Sequence, residues 1–130
     1  MKFVPAFNDP TTGCEISLLR GNLAKGPSEF AYRSGRKSCI VPPHWHPSAE
    51  WLVVVDGAAT FANEGEKSQR LTRGGFFFQP AHWIASGSFE LGTLMFISFD
   101  GSADTHWVDV KGKEISYAQA FRGVGSRRDK

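Results

Sequence analysis

Short apolar runs recur along most of this chain, separated by polar and turn-forming residues, the pattern of strands. Fourteen glycines and seven prolines separate runs rich in β-branched and aromatic residues, which is how strands joined by turns read. The pattern predicts strands over 15–20 (EISLLR), 30–34 (FAYRS), 38–41 (SCIV), 50–55 (EWLVVV), 59–63 (ATFAN), 75–79 (GFFFQ), 93–99 (TLMFISF) and 106–110 (HWVDV). Several lie at the regular spacing of a sandwich or barrel. Only 114–121 (EISYAQAF) has helical character. Asp56-Gly57 between two apolar runs is a hairpin signal, and the polar stretch 63–75 (NEGEKSQRLTRGG) reads as a solvent-exposed, mobile connection. Phe76, Phe77 and Phe78, with Trp45, Trp51, Trp83 and Trp107, are expected to fill mostly core positions.

No internal repeat or second domain is visible, so residues 1–130 are expected to form one domain. A chain of 130 residues with 41% hydrophobic and 22% charged content suits a globular protein with one core. No apolar run approaches the roughly 20 residues that span a bilayer. The opening MKFVPAFNDP does not read as a signal peptide, so the expected compartment is the cytoplasm. There Cys14 and Cys39, which could form only one bridge, are expected to stay free as small buried hydrophobes. A net charge of +2 without a basic stripe argues against a nucleic acid partner, and FRGVGSRRDK at the C-terminus reads as a solvated tail.

The segment PPHWHPSAEW, residues 42–51, carries the candidate chemistry. Pro43 and Pro47 favour extended backbone, and on an extended segment His44 and His46 share a face. Glu50 has the same parity. Two imidazoles and one carboxylate suit a divalent transition metal and leave open positions, as in non-haem Fe(II) oxygenases. Spacing alone leaves a second reading open: an exposed proline-rich loop that contains histidine.

Gly35, His44, His46, Glu50 and Gly57 stand in the order G-x8-H-x-H-x3-E-x6-G. From the first histidine onward this resembles the first motif of the cupin superfamily. Gly74 and Pro80 in GGFFFQPAHWIAS keep the first spacing of the second motif. His82 then stands where a second glycine is expected, and Ala85 where the fourth metal-binding histidine is expected. Together these segments and LMFISFDGSADTHWVD resemble small single-domain cupins related to the ChrR-like group. The resemblance implies an all-β jelly roll, often a homodimer, with a metal deep in the barrel mouth. It also implies relatives that include Fe(II) dioxygenases cleaving β-diketones or hydroxyacetophenones and a zinc-binding anti-sigma-factor module.

On this resemblance the metal ligands are His44, His46, Glu50 and His82, with Fe(II) expected first and Zn, Ni or Mn as alternatives. His82 enters either as a fourth ligand from a shifted position or as a residue of the pocket rim. Gln79, Trp45, Phe77 and Arg33 are the candidates for the substrate pocket. His106 is expected to be partly buried and bonded to a backbone carbonyl. Three functions follow: a metal-dependent dioxygenase acting on a small ketone, a non-redox isomerase or lyase in which Glu50 or His82 moves protons, and a metal- or ligand-binding module without catalysis.

Overall fold

The computed structural model describes residues 1–128. In chain order the strands are β1 (Val4–Pro5), β2 (Cys14–Gly21), β3 (Ser28–Ser34), β4 (Cys39–Trp45), β5 (Glu50–Asp56), β6 (Ala59–Asn63), β7 (Gln69–Leu71), β8 (Phe76–Gln79), β9 (Ala85–Phe89), β10 (Leu94–Phe99) and β11 (His106–Trp107), followed by helix α1 (Tyr117–Arg128). They form a six-stranded sheet, β1-β2-β3-β10-β5-β8, and a five-stranded sheet, β11-β4-β9-β6-β7. Every pairing between these strands is antiparallel. This is the double-sheet jelly roll that the sequence led us to expect. Among the described residues no helix is long and apolar enough to cross a membrane.

The core lies between the sheets. Phe30, Leu52, Val54, Phe77, Met95, Ile97 and Phe99 from the larger sheet meet Ala59, Phe61, Ala85 and Phe89 from the smaller one. Phe61 and Phe77 stack across the gap with ring centroids 4.9 Å apart. Gly87 lets this happen, because a Cβ there would come within 2.7 Å of the Phe61 ring.

Strand period decides which aromatics are inside. In β8, Phe77 and Gln79 are buried while Phe76 and Phe78 point out, and on β5 the partly exposed Trp51 lies opposite Phe78. The expectation of a mostly buried aromatic set therefore fails for Phe76, Phe78 and Trp83, which are all exposed, and holds for Phe77 and Trp107.

The other differences have identifiable causes. The Asp56-Gly57 turn is a corner, not a hairpin: β5 belongs to the six-stranded sheet and β6 to the five-stranded one. Gly57 has φ +81°, and a Cβ there would lie 2.6 Å from the Thr93 Cα. Thr93 Oγ1 donates to Ala58 O and fixes the crossing. The polar connection contains β7, paired with β6. Strand β9 was not anticipated, since ASGSF carries little apolar signal. The basic C-terminal segment continues α1 as far as Arg128 instead of forming a loose tail, and residues 129–130 lie outside the described residues. Helix α1 docks through Tyr117 and Phe121 on Phe7 and Trp107.

Cys14 and Cys39 form a disulfide, with Cα atoms 5.2 Å apart, where free thiols were expected. Both cysteines are buried in the core and come from opposite sheets, a juxtaposition that local sequence does not reveal.

Candidate metal centre

The first two donors come from the end of β4. That strand passes through Pro42 and Pro43 at a register shift between Val41 and His44, where a residue without an N–H is tolerated. Beyond the shift His44 and His46 point inward and Trp45 outward. A short turn then crosses to the other sheet, and β5 opens with Glu50 on its inner face, between Gln79 of β8 and Phe99 of β10. The ligand atoms offered by His44, His46 and Glu50 lie within 4.8 Å of one another.

Second contacts prepare both imidazoles. His44 Nδ1 lies 2.7 Å from the Pro42 carbonyl and His46 Nδ1 lies 3.1 Å from the Asp104 carbonyl. A carbonyl only accepts, so each Nδ1 carries the proton and each Nε2 keeps a free lone pair, the arrangement that orients histidine for a metal. Burial lowers His44 to a pKa of about 4 and His46 to about 3. Burial also raises Glu50 to about 8. At neutral pH all three groups of the metal-free site are therefore uncharged, and the 3.9 Å approach of His46 Nε2 to Glu50 Oε1 is no ion pair. Neutral imidazoles are ready to ligate, and an ion would displace one proton from Glu50. The donor set fits a divalent transition metal.

The triad opens on a cavity of about 710 Å³, within the size range of small-molecule sites. Its walls are mainly apolar: Phe30, Phe61, Phe77, Phe89, Phe99 and Trp107 contribute, together with Val4–Asn8 near the N-terminus, and among the described residues no lysine or arginine lines it. Phe77 and Gln79 take their expected places there. The Gln79 amide is engaged, with Nε2 donating to Trp83 O at 2.8 Å.

Three expected site residues lie elsewhere. Arg33 points out of the barrel, where it pairs with Glu15 at 2.7 Å and covers the Phe3 ring. Trp45 has the outward parity between the two histidines and stacks on His106 at 3.9 Å. His106 in turn faces the carboxylates of Asp104 and Glu114, each at 3.1 Å, and not a backbone carbonyl.

His82 is not brought to the cluster. It is exposed, its ring lies 5.5 Å from that of Trp45, and its N–H donates to His46 O at 2.9 Å. Its φ is +69°, a conformation suited to glycine, and glycine is what the resembling motif carries at this position. His82 thus takes over the backbone geometry of the motif's glycine and not the role of a ligand. Ala85, at the expected fourth-ligand position, is buried, lines the cavity and lies opposite His44 in the ladder. Sequence reasoning missed Phe99 and Trp107, whose rings lie 4.7 Å from His46 and 5.5 Å from His44. It also missed Tyr32, whose inward parity in FAYRS was the available signal.

The family described as AraC-like ligand binding domain matches residues 26–115. No curated protein matches the chain. Among solved structures it is similar to KdgF from Halomonas sp., with 22% identity over 77% of this chain and 87% of that one at a TM-score of 0.62. It is also similar to an RmlC-like cupin from Shewanella frigidimarina, with 21% identity over 74% and 83% of the two chains and a TM-score of 0.63. Salicylate 1,2-dioxygenase from Pseudoaminobacter salicylatoxidans shares 18% identity over 68% of this chain and 25% of that one, at a TM-score of 0.58. At such identities the structural likeness is one of fold, and the fold is a cupin. Since the family match spans most of the chain and the two sheets close around the histidines as a cupin's do, this protein belongs to the AraC-like ligand-binding domain family.

Proposed function

We propose that this protein binds one divalent transition metal through His44, His46 and Glu50 and acts with it on a small, largely apolar ketone, as an Fe(II) dioxygenase cleaving a β-diketone or aromatic ketone. The observation that carries this reading is the convergence of three neutral donors on a cavity that, among the described residues, no lysine or arginine lines. Apart from the metal itself, the described residues of this cavity offer no countercharge to a phosphorylated sugar or a polycarboxylate. When bound, Fe(II) would supply Lewis acidity and open positions for substrate and dioxygen. The protein's own residues do the rest: the Pro42 and Asp104 carbonyls hold the imidazoles in their ligating tautomer, Glu50 gives up its proton as the site fills, and the phenylalanine walls keep water from the reacting atoms.

The first test is elemental analysis of untagged protein, purified without chelator, beside a His44→Ala, His46→Ala double variant. The reading expects near-stoichiometric iron that the variant loses, together with oxygen uptake on adding a β-diketone. Zinc, nickel or manganese, without oxygen uptake after iron loading, would overturn the dioxygenase assignment in favour of Lewis-acid isomerase or lyase chemistry with Glu50 as the proton carrier. One observation favours a non-catalytic ligand-binding module instead: Ala85 leaves the site a ligand short of the resembling motif. That reading expects thermal stabilisation by a ketone with no product formed.

The homodimer belongs to the same proposal. The outer face of the six-stranded sheet presents Val53, Phe76, Phe78 and Phe96 to solvent, an apolar surface that a second copy would cover. Phe96→Lys should then sediment as a monomer. A cytoplasmic setting is also a proposal, and the Cys14–Cys39 bridge weighs against a strongly reducing compartment.

A further inference from the structure

Several polar residues besides the triad line the cavity, among them Gln79, Ser86, Thr105 and Tyr32. Tyr32 lies on β3 with its side chain between the sheets and lines the cavity. Its hydroxyl is buried and has no hydrogen-bond partner among the described residues. Two other buried side-chain atoms share that condition, Ser28 Oγ and Asn63 Oδ1, but neither residue lines the cavity. An unpaired buried hydroxyl loses its water and gains nothing in return. Phenylalanine in its place would pack the same ring against Phe30 and Phe89 without that loss.

Sheet register locates this group relative to the triad. Glu50 shares a rung with Phe99 and Ser28; Leu52, Ile97 and Phe30 form the next inward-facing rung, and Val54, Met95 and Tyr32 the one after. Tyr32 is therefore displaced along the strands by four residues, roughly 13 Å at the rise of a β-strand. An apolar belt of Phe30, Leu52 and Ile97 lies between. The cavity thus has a metal-binding end and an apolar belt, with the backbone of Tyr32 beyond that belt on β3.

We propose that the Tyr32 hydroxyl donates a hydrogen bond to an acceptor on the part of the ligand that does not touch His44, His46 and Glu50. The ligand class is then an elongated, uncharged molecule with an oxygen pair for the metal, an aromatic or aliphatic middle, and a carbonyl or similar acceptor at the far end. This deepens the ketone reading above and rests on it. Two observations favour an uncharged acceptor. Among the described residues no lysine or arginine lines the cavity, and burial, with the Glu50 carboxyl as a further contribution, raises the Tyr32 phenol well above its ordinary range, so it serves as a donor and not as an anion.

The test uses zinc-loaded protein and two ligands matched in shape, 1-(4-acetylphenyl)butane-1,3-dione and its 4-isopropyl counterpart, which lacks the distal acceptor. Binding is followed by the absorbance change of the diketone on chelation and by calorimetry, in wild type, Tyr32→Phe and the His44→Ala, His46→Ala variant. Wild type should prefer the acetyl ligand by roughly 5- to 15-fold, the worth of one buried hydrogen bond. Tyr32→Phe should lose that preference while binding the isopropyl ligand as well as wild type does, and its ligand-free melting temperature should be unchanged or higher. An equal preference in both proteins, or a clear loss of ligand-free stability in Tyr32→Phe, overturns the assignment of Tyr32 and leaves the ketone reading standing. If neither diketone binds the zinc-loaded wild type, or both bind the double histidine variant equally well, the ketone reading fails and the proposal falls with it.

Discussion

Replacing Glu50 by glutamine keeps the shape of the side chain and removes its ability to ionise, so it has opposite consequences in the empty and the filled site. Burial raises Glu50 from 4.5 to about 8 in the folded protein. Between those values the unfolded chain releases a proton that the folded chain retains, so stability falls as pH rises through the window. Integrated over that shift, the cost is about 1 kcal/mol at pH 5, about 3 at pH 7 and about 4 at pH 8. Glutamine escapes it. The depressed imidazoles of His44 and His46 titrate alike in both proteins and cancel from the difference. In chelator, Glu50→Gln should therefore melt higher than wild type by roughly 10 °C at pH 7, with the gain growing towards pH 8 and nearly gone at pH 5. With zinc present the order should reverse. At pH 7 wild type gains about 4 kcal/mol at a thousandfold excess of metal over Kd, more than its deficit of about 3, and the variant, short of its carboxylate, gains little. Thermal melts at pH 5, 7 and 8, with and without metal, read all of this. A variant destabilised by the same amount at every pH in chelator would refute the reasoning, because the carboxyl would then be held by specific bonds and not kept neutral by burial.

Three further outcomes are expected. Ala85→His places an imidazole opposite His44 and should tighten zinc binding at least tenfold in competition with a chromophoric chelator, an order-of-magnitude expectation for one added ligand. His82→Gly relieves a left-handed backbone and should raise stability by about 1 kcal/mol with metal content unchanged; loss of metal would show that His82 reaches the ion. Replacing Cys14 and Cys39 together by alanine opens a link between residues 25 apart in sequence and should cost about 3 kcal/mol in urea denaturation, and wild type in a strong reductant should lose a similar amount.

The parts of this molecule that local sequence encodes were legible in it. The aromatic run in GFFFQ marks a strand, though three successive phenylalanines do not tell which face is inner, and the prolines around His44 and His46 force the extended backbone that makes the two rings converge. What depends on distant partners was hidden. Cys14 and Cys39 look like isolated hydrophobes until the two sheets are stacked. Asp56-Gly57 has the chemistry of a hairpin turn, yet its strands find stronger partners in β8 and β10 on one side and in β7 and β9 on the other. His82 was read from its place beside the metal motif as a fourth ligand or a residue of the pocket rim, whereas the structure shows an exposed side chain on a left-handed backbone. Arg33 falls in a predicted strand and Trp45 in the extended proline-rich segment, but only the sheet's final curvature and parity tell which face looks into the cavity.

The disulfide and the triad both tie the two sheets together, and both do so from β4: Cys39 reaches Cys14 of β2, and His44, with His46 just beyond, meets Glu50 of β5. The first tie is permanent in an oxidising medium, and the second exists only while an ion is held. The two layers of the sandwich are thus hinged at one fixed point and latched at another. Filling the latch should slow exchange of the backbone amides of β4 and β5 with deuterium, while the short edge strands β1 and β7 continue to exchange at nearly the rate they have in the empty protein.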